Sequence, residues 1–169
     1  MKMRAKIESH AVYKAMESPV GKLVMLASEL GLHAVNWEQE EIIVAEGFKP
    51  DPDYPLLLET EKQLNEYFAG ERKVFALPLA PRGTPFQLQI WKLLLDIPFG
   101  QTATYGELAA LAGDPNASRA VGMANNKNPI PIIIPCHRVI GSSGALTGFG
   151  GGLLNKSLLL DLESQHRLF

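Results

Sequence analysis

The segment that most restricts the fold is residues 76–85, which holds three prolines and one glycine. Prolines spaced this closely cannot continue a helix or pair inside a sheet, so the segment is predicted to be a connection. It lies near the middle of a chain of 169 residues, a length that allows one large domain or two small ones. We therefore predict two domains, residues 1–80 and residues 81–169.

The first domain has the pattern of a small antiparallel sheet followed by a helix. Ser18-Pro19-Val20-Gly21 and Gly31 have the residue types of turns. A proline-rich loop, Pro50–Pro55, precedes apolar residues at helical spacing over Leu56–Phe68. Between the turns, three short apolar segments predict a three-stranded meander: residues 12–17, 22–28 and 32–37.

The second domain is predicted to be mainly helical, so the fold class of the whole chain is α/β of the α+β type. Thr84 and Pro85 are typical of the N-cap and the first position of a helix. Asn116 or Ser118 is expected to cap the later helix over Ala117–Asn125. The middle two helices, joined by a tight turn, are typical of a helix-turn-helix, although most such pairs bind no DNA. The first predicted helix begins at Pro85. The other three cover Thr102–Ala112, Ala117–Asn125 and Leu153 to about Gln165.

The only cysteine, Cys136, follows the apolar run Pro131–Ile134 and precedes His137. An apolar run bounded by prolines predicts a short buried strand, so we expect a strand that ends at the thiol. A thiol reacts as the thiolate, and a basic neighbour in a partly dry pocket is expected to ease its deprotonation. The alternative is that a lone cysteine is only a small buried apolar side chain.

Cysteine count and charge exclude several classes of protein. One cysteine cannot form an internal disulfide or a multi-cysteine zinc site, so no metal is expected. No continuous apolar segment follows the basic N-terminus, which predicts a cytoplasmic protein without membrane contact. The net charge of −2 argues against a cationic coat for nucleic acid. Residues 84–169 hold 6 Lys+Arg and 5 Asp+Glu, against 10 and 13 in residues 1–83, so any DNA contact is expected in the second half.

A set of residues in the second half resembles the O6-alkylguanine-DNA alkyltransferases, also called methylated-DNA–protein-cysteine methyltransferases. The resemblance covers residues 84–169 and extends more loosely to Ser18–Gly21 and Gly31-Leu32. It implies DNA repair by irreversible transfer of an alkyl group from guanine O6, and from thymine O4, to a cysteine, with no cofactor. The residues that carry it, in order, are Tyr105, Arg119-Ala120-Val121-Gly122, Asn128-Pro129, Pro135-Cys136-His137-Arg138-Val139, Gly151-Gly152-Leu153, Lys156 and Glu163.

The resemblance implies four catalytic residues. Cys136 is expected to keep the alkyl group as a stable thioether, so that each molecule reacts once. His137 is expected to take the thiol proton through a water, with Glu163 orienting the imidazole, a role that a third group has in many nucleophilic sites. Asn128 is expected to join the helix-turn-helix to the segment that carries the cysteine.

The resemblance also implies the DNA and pocket residues of a monomer that acts on double-stranded DNA containing O6-alkylguanine. A thiol cannot reach a stacked base, so the base must leave the duplex at a cost of a few kcal/mol. Arg119 is expected to fill the gap, and Tyr105 to help rotate the nucleotide. Ala120 and Gly122 are expected on the DNA face. The predicted pocket residues are Val139, Phe149, Gly150, Pro131, Lys156 and Asn125.

Two alternatives remain open at this stage. A DNA-binding regulator or lesion sensor would use the helix-turn-helix without chemistry at Cys136. A cysteine hydrolase would use Cys136, His137 and Glu163 and release many product molecules per protein. The two differ from alkyl transfer in how much product each protein makes.

Overall fold

The computed structural model describes residues 10–166 of the chain. The chain divides into two compact units between Arg82 and Gly83, within the proline-rich segment 76–85. In agreement with the predicted class, the fold combines a small sheet in the first unit with a mainly helical second unit.

The first unit is built on a four-stranded sheet in the order β3-β2-β1-β4. β1, β2 and β3 form the predicted antiparallel meander, and β4 is parallel to β1. The core includes Tyr13 on β1, Leu26 on β2 and Ile43 on a short helix. The elements are β1 (Val12–Met16), β2 (Leu23–Ser28), β3 (Gly31–Asn36), α1 (Glu40–Ala45), β4 (Lys49–Pro50) and α2 (Pro55–Phe68).

Two parts of this unit differ from the sequence-based prediction. The helix α1 and the strand β4 were not predicted, and β4 falls at the start of the segment predicted as a loop. The first part of the predicted connection is attached to β3. Leu32 N–H donates to the Pro78 carbonyl at 2.8 Å, and Ala80 N–H donates to the Leu32 carbonyl at 2.8 Å. Proline lacks an N–H but keeps its carbonyl, so it can accept a hydrogen bond from a sheet edge.

The second unit contains four helices and a short two-stranded sheet. The predicted start of the first is confirmed: Thr84 caps it, and its hydroxyl and the Gln87 side chain form a capping box. Its buried side chains include Ile90 and Trp91. The elements are α3 (Pro85–Leu94), β5 (Ala103–Thr104), α4 (Tyr105–Leu111), α5 (Ser118–Asn126), a 3-10 turn (Cys136–Arg138), β6 (Val139–Ile140) and α6 (Leu153–His166).

The predicted helix pair is present, with two corrections at its ends. α4 begins at Tyr105 rather than Thr102, because residues 103–104 pair with β6 and Thr104 caps the helix. The predicted cap of α5 is wrong: Ala117 holds that position without a side-chain hydrogen bond. Asn116 is engaged instead through its N–H, which binds the Asp114 carboxylate at 2.9 Å.

The predicted strand over Pro131–Ile134 is wrong, although all four residues are buried. The segment is a turn in which Ile134 N–H donates to the Ile130 carbonyl at 2.9 Å and Ile132 has a φ of 74°. The Asn128 side chain replaces the hydrogen bonds of a neighbouring strand. Its amide donates to the Ile134 carbonyl at 2.8 Å, and its oxygen accepts from Ile130 N–H at 3.0 Å.

Within residues 10–166, none of the helices has both the length and the apolar character that crossing a bilayer requires. The predicted cytoplasmic location stays a prediction.

Candidate active site

Cys136 lies at the start of the 3-10 turn and is 4% exposed. Its N–H donates to the Ile134 carbonyl at 2.8 Å. Its carbonyl accepts a hydrogen bond from the Asn125 side chain at 3.3 Å. The Asn128 side chain lies near enough to the thiol to act on its pKa. The backbone of Cys136 is therefore held by α5 on one side and by the Pro131–Ile134 turn on the other.

Glu163 on α6 is the centre of a buried hydrogen-bond network beside this turn. His137 Nε2 lies 2.6 Å from one carboxylate oxygen of Glu163. Arg138 binds both oxygens, with Nε at 2.9 Å and Nη2 at 3.1 Å. Gly100 N–H donates to the carboxylate at 3.2 Å. All three side chains are nearly inaccessible to solvent, so these contacts replace the water that an ionised carboxylate needs.

The network fixes the charge states of Glu163 and His137. Burial opposes ionisation of Glu163, but the hydrogen bond from His137 together with the hydrogen bonds and charge of Arg138 outweigh it and lower the carboxyl pKa to about 2. Burial lowers the pKa of His137 below its usual 6.5 despite the neighbouring carboxylate, and Arg138 and Lys156 act in the same direction. His137 is therefore neutral with its proton on Nε2, since this atom faces the carboxylate. Nδ1 is then a buried acceptor without a hydrogen-bond partner among the described residues.

The thiol is less acidic than the sequence alone predicts. Burial raises the pKa of Cys136 to about 11, although the Asn128 hydrogen bond and the Lys156 charge oppose that rise. Desolvation therefore dominates the pKa of the resting thiol, and the expectation that a basic neighbour eases its deprotonation stays a prediction. The proton must leave during the reaction, to an acceptor beside the sulfur.

Lys156 on α6 is completely buried, and it lies close enough to the thiol for its positive charge to act on the thiol pKa. Its ammonium donates to the Val139 carbonyl at 2.6 Å and to the Thr147 carbonyl at 2.8 Å. The Tyr105 hydroxyl donates to that same Thr147 carbonyl at 3.2 Å. The lysine thus joins β6 to the 141–152 loop, and Tyr105 joins that loop to α4.

The remaining predicted site residues fall into two groups. Arg119 and Ala120 are exposed in the first turn of α5, and Gly122 lies one turn from Arg119. The predicted pocket residues differ in burial. Pro131, Val139 and Asn125 are buried, Phe149 is half-buried, and Gly150 is exposed with open space where a side chain would be.

Three functional contacts escaped sequence reasoning. The Pro98–Gly100 turn was interpreted only as a helix stop, yet Gly100 binds Glu163. Arg138 was noted within the motif without a role, and it also donates to the Ile97 carbonyl at 2.6 Å. The Thr147 carbonyl had no sequence signal, because a backbone acceptor can belong to any residue. Among residues 10–166 there is no cluster of three His, Cys, Asp or Glu side chains that could hold a metal ion.

Comparison with known proteins identifies both units. Residues 85–165 match the family model described as 6-O-methylguanine DNA methyltransferase, DNA binding domain. Residues 11–81 match the ribonuclease-like domain of the same methyltransferase. A methylated-DNA–protein-cysteine methyltransferase of Methanosarcina acetivorans is 48% identical, covering 89% of this chain and 97% of the relative. The constitutive Bacillus subtilis enzyme is 43% identical, covering 89% and 94%.

Solved structures give the same result. The Mycobacterium tuberculosis O6-methylguanine methyltransferase superposes with a TM-score of 0.84 and 44% identity, covering 92% of this chain and 94% of that one. The same organism's OGT in complex with DNA gives a TM-score of 0.83 and 47% identity, covering 91% and 93%. The chain belongs to the methylated-DNA–protein-cysteine methyltransferase family.

Proposed function

We propose that this chain repairs DNA by moving the alkyl group of O6-alkylguanine irreversibly to the sulfur of Cys136. The observation that carries the proposal is the position of the chain's one thiol, which is buried and followed directly by a histidine whose Nδ1 has no hydrogen-bond partner among the described residues. The family membership of both units supports the same reaction. The catalytic residues are Cys136, His137, Glu163 and Asn128.

The transfer balances without a cofactor. The sulfur forms a bond to the alkyl carbon while the bond from that carbon to guanine O6 breaks. The thiol proton passes through a water to His137 Nδ1, and guanine takes up one proton as it returns to its ordinary form. Glu163, held ionised by Arg138, steadies the imidazolium that exists in between. A thiol with a pKa raised to about 11 is a poor resting nucleophile, which limits reaction with the wrong partner.

The DNA-binding part of the proposal rests on α5 and the residues beside it. The chain acts as a monomer on double-stranded DNA, with Arg119, Ala120 and Gly122 on the contacting face. Arg119 is exposed in the first turn of the second helix of a helix-turn-helix, a position from which side chains reach into a groove. It fills the space that the extruded guanine leaves. Tyr105, anchored to the 141–152 loop through Thr147, guides the flipped nucleotide.

The flipped base enters a pocket near the 3-10 turn that begins at Cys136. Its proposed walls are Pro131, Val139 and Asn125 on the buried side and Phe149 and Gly150 on the loop side. Lys156 holds the two sides together through the Val139 and Thr147 carbonyls. The same pocket accepts O4-alkylthymine, because the alkylated oxygen occupies a comparable ring position.

The proposal is tested by counting repaired bases per protein. A duplex with one O6-methylguanine is mixed with limiting protein, and restored guanine is measured over time. We expect the yield to stop at one guanine per protein molecule. The matched control is Cys136→Ser, which keeps the size of the side chain, and should bind the same duplex without restoring any guanine.

Two outcomes contradict the proposal. Continued turnover beyond one guanine per protein points to a cysteine hydrolase. Binding of the methylated duplex without any restored guanine points to a lesion sensor.

A further inference from the structure

We propose that Arg138 is a positioning residue that, by pairing with Glu163, keeps His137 an uncharged proton acceptor. The inference deepens the proposed function, since it concerns the histidine that takes the Cys136 proton, and rests on it. Arg138 does not face the thiol as an acid or a base. It acts through the carboxylate that it shares with His137.

The Arg138 guanidinium is held in a fixed position by its neighbours. It forms a fork on Glu163, with nitrogen–oxygen distances of 2.9 and 3.1 Å. Its third nitrogen donates to the Ile97 carbonyl at 2.6 Å, and its central carbon lies 5.8 Å from the centre of the Phe99 ring. A guanidinium held on three sides cannot move away from the carboxylate, and at 6% exposure it is largely withdrawn from water.

The second step is the charge balance around His137. The charged groups that act on this imidazole are Arg138, on the 3-10 turn, and Lys156 and Glu163, on α6. Glu163 supplies one negative charge, and Arg138 supplies the positive charge that matches it. Removing Arg138 would take away both bonds of the guanidinium fork and one positive charge, while the hydrogen bond from Gly100 and the contact with His137 would remain.

The third step is the consequence for proton transfer. A buried carboxylate without a counter-ion favours the charged form of a neighbouring histidine. An imidazolium has a proton on both nitrogens, so it cannot accept the thiol proton. Arg138 therefore prevents His137 and Glu163 from settling into an ion pair that would block the reaction. A purely structural arginine would give the same contacts but no effect on the protonation of His137.

The experiment compares three variants with the full-length protein. Arg138→Met removes the positive charge. Arg138→Lys keeps the charge but loses the fork. Arg138→Met combined with Glu163→Gln removes both charges and is the matched control, because no carboxylate remains at this position to favour the charged form of His137.

Two readouts are taken on each variant. Nitrogen NMR of the imidazoles, without DNA, reports whether His137 is neutral and which nitrogen carries its proton. The rate of methyl transfer to Cys136, followed by mass from about pH 6 to about pH 9, reports how the reaction depends on that protonation.

The unmodified protein should show neutral His137 protonated on Nε2 at pH 7, with a rate that changes little above neutrality. In Arg138→Met, the pKa of His137 should rise above neutrality, and transfer at about pH 7 should fall by about tenfold for each unit by which that pKa then exceeds the pH. The loss should be regained as the pH rises. Arg138→Lys and the double variant should return His137 toward the neutral form.

Several results overturn the proposal. An imidazolium at pH 7 in the unmodified protein contradicts it, and this measurement needs no variant to fold. A uniform loss of rate at every pH in Arg138→Met, with an unchanged His137 titration, shows a merely structural arginine. An unmethylated Cys136 in the unmodified protein refutes the proposed function instead, while the imidazole spectra still decide the role of Arg138.

Discussion

Buried polar side chains differ in kind between the two units of the described chain. In the first unit they are Ser28, His33, Thr60 and Gln63, and in the second they are Asn125, His137, Arg138, Lys156 and Glu163. Those of the first unit bind mainly backbone or near neighbours, as Thr60 binds the Leu56 carbonyl at 2.8 Å. The second unit buries two cations and a carboxylate close to one thiol.

This difference separates burial that supports folding from burial that supports chemistry. A buried ion pair adds little stability compared with apolar side chains of the same size, because both ions lose water. The first unit achieves its core with apolar residues such as Leu26 and Ile43. The ions of the second unit are therefore best explained by the reaction at Cys136.

The largest expected effect is on stability, from removing the carboxylate of Glu163. Glu163→Ala leaves Arg138 buried without its partner, which should cost about 3–5 kcal/mol of unfolding free energy. The matched change in the first unit is Thr60→Val, which loses one neutral hydrogen bond and should cost about 0.5–1.5 kcal/mol. Urea unfolding of both variants checks this. Equal losses would remove the contrast between the units.

The second effect is a loss of stability in acid that belongs to the second unit. The pKa of His137 is lowered, so below about pH 6.5 the unfolded chain binds a proton at this residue that the folded chain does not bind. Stability therefore falls as the pH drops below about 6.5. The pKa of Glu163 is lowered to about 2, so its contribution is lost between about 4.5 and 2.

The two tryptophans make this measurable, because Trp37 lies in the first unit and Trp91 is buried in the second. In a Trp37→Phe chain, urea midpoints followed through Trp91 should fall as the pH is lowered from 7. Adding Glu163→Gln should make the urea midpoint depend less on pH below about pH 4.5. The same acid dependence with and without Glu163→Gln would contradict the assignment.

The third effect separates an exposed cation from the buried ones. Arg119→Ala should slow repair of duplex DNA by about tenfold or more, because flipping costs a few kcal/mol and this side chain offsets part of it. Reaction with free O6-benzylguanine, which needs no flipping, should change little. Rates of thioether formation on both substrates check this, and equal slowing of both would mean that Arg119 acts on the chemistry.

The smallest effect is the destabilisation of the reacted protein. A methyl group added to the closely packed sulfur of Cys136 should cost about 1–3 kcal/mol. Asn128, which lies beside the thiol and binds the Pro131–Ile134 turn, should pass the strain to α5. The methylated protein should therefore melt at a lower temperature and release DNA more readily. An unchanged or higher melting temperature would show that the pocket accepts the product without strain.

The sequence predicted the elements whose signals are local. Thr84 and Pro85 mark the start of α3, and the spacing of apolar residues marks α2 over nearly its whole length. The meander was predictable because Ser18–Gly21 and Gly31 separate its strands. The family resemblance supplied the candidate residues, of which Cys136, His137, Glu163 and Asn128 lie together.

What could not be predicted depends on contacts between distant residues. The run Pro131–Ile134 has the composition of a strand, but Asn128 satisfies its backbone and turns it. The high pKa of Cys136 follows from its burial by residues distant in sequence, and the neighbouring His137 gives no sign of that burial. Glu163 and Gly100 are 63 residues apart, and their hydrogen bond has no local pattern.

The central claim is that the buried ions of the second unit serve one reaction of one thiol, and mass analysis of the protein tests it most directly. After mixing with a duplex that contains O6-methylguanine, the protein is digested and its peptides are weighed. The account predicts a single added methyl group, on the peptide that contains Cys136, in every reacted molecule. Methyl on any other peptide, or restored guanine without methyl on the protein, would contradict it.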